Sequence, residues 1–165
     1  MIKKILVALA LALVPIALAQ LPAFEDWTRD LGGAVGRTTY GVELTTFLNG
    51  YTDYIVTNQY ASLFAWSYYG ALIALGLYYL VIDESRYRDA KYWVMWLTLG
   101  ALPPAIKAFI VAQDGRSNVP DLADIGVGGP LMLAFLTFVL ACLLGFLLTF
   151  ALRPVSQNCS KTPFR

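Results

Sequence analysis

Three stretches of this chain, residues 61–82, 92–112 and 130–152, are long and apolar enough to cross a bilayer. A helix rises about 1.5 Å per residue, so about 20 residues span the roughly 30 Å of hydrocarbon. No water reaches the backbone there, and a helix satisfies its own N–H and C=O groups. Composition agrees. Of 165 residues 58% are hydrophobic and 14% charged, against about 25% charged in an ordinary soluble domain. The expected fold is an all-α membrane protein with three transmembrane helices and an extracytoplasmic amphipathic helix, preceded by an N-terminal signal peptide or signal anchor.

The second stretch is the unusual one, because it holds Pro103-Pro104 and then Lys107. Each proline removes a donor and displaces a carbonyl one turn back, which predicts a kink near residues 99–104. A charged amine in hydrocarbon costs about 2.5 to 3.5 kcal/mol on the insertion scale. Lys107 lies near the end of its span and reaches the interface by snorkelling. Its expected ion-pair partners are Asp114, Asp121 and Asp124, all beyond the end of that span.

Residues 1–19 have the parts of an export signal: Lys3 and Lys4, an apolar run from Ile5, and Ala17-Leu18-Ala19 before Gln20. Cleavage after Ala19 is expected, with an uncleaved anchor as the alternative. Residues 20–60 are richer in acidic and glycine residues and form the extracytoplasmic segment. Within it Leu44, Phe47, Leu48, Tyr51, Tyr54 and Ile55 recur at helical spacing. The opposite face lacks lysine and arginine, so this apolar face is expected to dock on protein rather than on lipid headgroups.

The first span has tyrosines and Trp66 toward its ends, expected as interfacial belts, and Ser67, Gly70, Ala71 and Ala74 as a small-residue packing face. Residues 83–91 form a charged hairpin turn whose side chains pair locally in solvent. The last span opens with Pro130 and carries a second small-residue pair, Ala141 and Gly145. Residues 153–165 form a flexible tail. Lys3, Lys4, Arg86, Arg88, Lys91, Arg153, Lys161 and Arg165 fall on one side of this threading, and Arg29, Arg37 and Arg116 on the other. The positive-inside bias therefore puts the tail and the 83–91 turn in the cytoplasm of a bacterium, and the mature N-terminus outside its inner membrane.

Catalytic chemistry finds little support. The chain has no histidine, which removes the commonest general base and metal ligand. Cys142 and Cys159 have no ligand or redox spacing. Asp121 and Asp124 lack a third ligand, Gly126-Val127-Gly128-Gly129 follows no strand, and neither Ser62 nor Ser117 is marked as a nucleophile beside Lys107. No cofactor, metal or nucleic-acid partner is expected. The partners are the lipid bilayer and other membrane subunits, further copies of this chain included. The expected function is a structural subunit of a multiprotein inner-membrane assembly for secretion, conjugation or energy transduction. One alternative is a small channel or transporter with a Pro-broken helix and Lys107 lining its path; another is a pilin-like filament subunit.

Overall fold

A computed structural model describes residues 2–19, 61–84, 87, 89–118 and 128–159, and these are all-helical apart from short turns. Helix α1 is Ile2–Ala19. Helix α2, Ala61–Gly76, continues as a π-helical turn over Leu77–Ile82. Helix α3 is Ala90–Asn118, α4 is Gly128–Leu152, and a 3₁₀ turn follows at Arg153–Val155. Three helical segments are long and apolar enough to cross a membrane: Leu63–Ile82, Ala90–Asp114 and Gly129–Val155.

The spans pack as an up-down-up bundle, and small residues set how close they come. Gly70 of α2 meets Gly100 of α3 with almost no gap; a Cβ built on Gly70 would stand 2.5 Å from the Gly100 carbonyl oxygen. One built on Gly100 would stand 2.8 Å from both the Gly70 oxygen and the Ala74 Cβ. Pro104 follows from this crossing. It has no N–H for the carbonyl four residues back, which is that of Gly100. The Gly70 hydrogen in place of a side chain points at this oxygen, a Cα–H···O contact only glycine permits. Pro104 is itself buried, its Cδ 3.4 Å from the Gly70 Cβ position. The helix is unbroken through both prolines.

On the other side of α2, Gly145 of α4 lies against Ala71 and Leu75, each with an atom 3.4 Å from its Cβ position. Ala71, Ala74 and Ala141 are buried. Lipid offers no hydrophobic drive for this association, so close packing and buried hydrogen bonds supply it. The Trp93 indole donates to Thr149 Oγ1 at 3.0 Å, joining α3 to α4, and its ring meets Phe146 edge-on at 6.4 Å. Ser67, Thr137 and Thr149 return their hydroxyls to carbonyls four residues back, those of Leu63, Leu133 and Gly145. Outward-facing side chains such as Ile73, Val94, Ile106, Phe135 and Leu147 are apolar and exposed, the surface a lipid-facing protein presents.

Tyr68, Tyr78 and Tyr79 correct the expectation of interfacial aromatics, and Trp93 is enclosed with them. All four are buried. A buried hydroxyl or indole needs a partner, and these have one: Tyr78 donates to the Tyr87 carbonyl at 2.7 Å and Tyr68 to that of Leu11 at 2.8 Å. The π-helical turn brings neighbouring residues closer in azimuth, so Tyr78 and Tyr79 both point inward, ring to ring at 4.8 Å.

The crossing makes glycine substitutions unequal. Gly70→Ala drives a methyl into backbone and should cost about 1 to 3 kcal/mol. Gly145→Ala meets the tip of Leu97, 2.3 Å away, which rotates aside at lower cost. Gly76 faces open space, and Gly76→Ala should be neutral or stabilising by up to about 1 kcal/mol through helix propensity. Thermal unfolding in mild detergent should rank the three in that order.

Candidate functional site

The densest polar constellation among the described residues is at the end of the bundle where α2 stops. Asp83 ends the π-helical turn with φ 31° and ψ 41°, a left-handed conformation that aspartate tolerates better than most residues. Its N–H donates back to the Tyr78 carbonyl at 3.1 Å. This geometry turns the carboxylate into the bundle, where two other parts of the chain meet it. Oδ2 accepts from Lys4 Nζ at 2.8 Å and from the Gln157 N–H at 2.9 Å. Oδ1 accepts from Ser156 Oγ at 2.5 Å and from the N–H groups of Asn158 and Cys159 at 3.0 and 3.2 Å.

The segment after α4 is thus a nest of successive N–H groups closed on an internal anion. The Asn158 side-chain amide also donates to the Asp83 carbonyl at 2.6 Å, and Lys4 Nζ reaches the Leu80 carbonyl at 3.3 Å. Burial opposes ionisation of Asp83, but the hydrogen bonds from Lys4, Ser156, Gln157 and Asn158 outweigh it and hold the carboxyl well below the usual carboxylate range. Cys159 is buried with its thiol 3.7 Å from the Glu84 carbonyl, and burial pushes that thiol up. Both cysteines are free.

Two expectations are corrected here. The charges of the 83–91 turn were expected to pair locally in solvent, yet Asp83 is 8% exposed and bonds residues more than 70 positions away. The tail was expected to be flexible from 153, yet it is folded through Cys159, because those N–H groups have an anion to bind. Sequence reasoning missed Asp83 as a site. The available signal was an acidic residue abutting a span, with Lys4 placed on the same side by the charge bias.

At the opposite end, Lys107 Nζ rests over the Trp66 ring, 4.4 Å from its centroid. An indole face is the best aromatic partner for a cation. Asp114 is exposed further along the same helix, and Asp121 and Asp124 lie outside the described residues. The docking face of Leu44, Phe47, Leu48, Tyr51, Tyr54 and Ile55 also lies outside them.

Along the seam of α2 and α3, from Trp66 to Leu77, runs an apolar groove of about 610 Å³. Its floor is the glycine crossing with Ala74, and its walls are Trp66, Tyr69, Ile73 and Leu77 on α2 and Trp96, Leu99 and Pro103 on α3. Pro103 is exposed in it while Pro104 is buried beneath, so the two prolines do different work. Among the described residues no three His, Cys, Asp or Glu side chains come together as a metal site, and every buried side-chain nitrogen or oxygen has a hydrogen-bond partner. The Asp83 cluster is closed and internally satisfied, which suits a clasp. The groove is open and apolar, which suits another apolar surface.

Asp83→Asn keeps the shape and the left-handed preference but removes the charge from five donors, and should lower stability by about 3 kcal/mol. Lys4→Gln, whose amine is partly solvated, should cost about 1 kcal/mol. A carboxyl with a lowered folded pKa contributes stability that is complete above the ordinary carboxylate pKa of about 3.9 and is lost as pH falls below it. Melting in detergent should therefore be flat in the Asp83-dependent part from pH 5 to 8 and decline below about pH 4, and Asp83→Asn should remove that decline. Comparison of the chain with known protein families, curated proteins and solved structures finds no match.

Proposed function

We propose that this chain is a structural subunit of a multiprotein assembly in a bacterial inner membrane, of the secretion, conjugation or energy-transducing kind. The observation that carries this reading is the groove between α2 and α3. Its α2 wall runs from Trp66 to Leu77, about 16 Å or three helical turns. Its floor is Gly70, Ala74 and Gly100, the residue sizes that let a further helix approach closely in lipid. Flanking Trp66 and Trp96 supply the large rigid surfaces that recur where proteins bind one another. The occupant that fits is a transmembrane helix of a partner subunit, bearing small and branched apolar side chains.

The threading goes with this reading. Basic residues cluster at the Asp83 end, which supports placing that end in the cytoplasm and residues 20–60 outside, available to a partner through the face at 44–55. The transport alternative has less support. It calls for a broken helix and a lysine lining a path, whereas α3 is helical through both prolines and Lys107 rests on Trp66 at the rim of the groove. No described feature favours the filament-subunit reading.

A photo-crosslinking residue at Ile73 or Leu77, in the groove, should capture a defined membrane protein in intact cells. The same residue at Phe135, exposed on α4, should not give that product. A purely monomeric protein in mild detergent, with groove positions crosslinking to lipid alone, would sink the assembly reading.

A further inference from the structure

We propose that α1 is a permanent fourth helix of the bundle, retained after membrane insertion rather than removed as an export signal. The outer face of α2 and the Asp83 clasp are a docking site built for this chain's own N-terminal segment.

Pro15 is buried inside α1. Proline has no N–H, so the carbonyl four residues back, that of Leu11, loses its helical donor, and the ring crowds the carbonyls of the preceding turn. In hydrocarbon an unpaired carbonyl costs several kcal/mol. The structure gives the Leu11 oxygen a replacement donor, Tyr68 Oη at 2.8 Å, and Tyr69 Oη adds a bond to the next carbonyl, that of Ala12, at 3.1 Å. The match is reciprocal, since these α2 hydroxyls also need acceptors at that depth. A proline in one segment and two tyrosines more than 50 residues away thus answer one another.

The second observation is independent and lies two turns away along α1. Lys4 supplies the only full positive charge in the Asp83 cluster among the described residues. Removing residues 1–19 would leave the carboxylate, among the described residues, with dipoles alone for partners. The third is the pattern of faces. Val7, Leu11 and Val14 pack against the core, in register with Lys4 on one stripe of the helix, while Ile5, Leu9, Leu13 and Ile16 point outward. That outer face is apolar like those of the other helices, as a helix surrounded by lipid requires. At 18 residues α1 is about 27 Å long, close to the hydrocarbon thickness. Ala17 and Ala19, the small residues of the cleavage-like site, lie in its last turn.

The test uses the full chain with a C-terminal tag, expressed in bacteria and purified from membranes in mild detergent. Intact mass should include residues 2–19; a mass beginning at Gln20 would overturn the proposal. In a second measurement a protease site is inserted after Gln20 and cut after purification. The α1 fragment should stay with the tagged bundle, and Lys4→Gln or Tyr68→Phe should raise the fraction released by about 5- to 30-fold. Complete loss of α1 from the cut but otherwise unaltered chain would equally overturn it. Neither readout involves a partner subunit, so both are separate from the test of the groove.

Discussion

In hydrocarbon a backbone carbonyl needs a donor or a close substitute, and this bundle is arranged around two of the carbonyls its prolines leave behind. Pro15 leaves the Leu11 oxygen, and a tyrosine hydroxyl from α2 takes it. Pro104 leaves the Gly100 oxygen, and the bare Cα of Gly70 closes on it. In both cases the helix that compensates is α2, which explains why it lies between α1, α3 and α4. Pro130 needs no such help, because it sits in the first turn of α4 where N–H groups are unpaired in any helix.

Asp83 does at the end of the bundle what α2 does along it. A carboxylate turned inward by a left-handed residue would be costly alone, and becomes favourable only when cationic and N–H donors converge on it. They come from the N-terminal helix and from the segment after α4. Three otherwise separate pieces of chain are thereby joined by one side chain, with the π-helical turn setting the angle at which it is presented. The two ends of the bundle differ accordingly: one is tied by dense internal polar bonding, while the other opens into an apolar groove rimmed by Trp66 and Lys107.

The spans themselves were legible because length and hydropathy act locally. Residues 61–82, 92–112 and 130–152 all lie within the observed helices, which overrun the last two by a few residues. Small residues were legible as a class: Gly70, Ala71, Ala74, Ala141 and Gly145 stood out by spacing, although Gly100, which makes the closest crossing, carried no pattern of its own. Pro103-Pro104 was visible as an anomaly without a reason. The reason for Pro104 is Gly70, which belongs to another helix. Tyr68 and Tyr78 were misplaced at the interface because an aromatic near a span end looks the same in sequence whether it faces headgroups or a buried carbonyl.

By itself the sequence determined that the chain is helical, and where its three segments long and apolar enough to cross a membrane run, since both depend on nearest neighbours in the chain and on the solvent around it. Only the tertiary structure decided that Asp83 is a hub, that the tail folds onto it, and that Tyr68 and Tyr69 answer Pro15. Those outcomes rest on pairing between groups more than 50 residues apart. Such pairing becomes compulsory only once the groups share a place without water, and no local pattern records which of them will meet there.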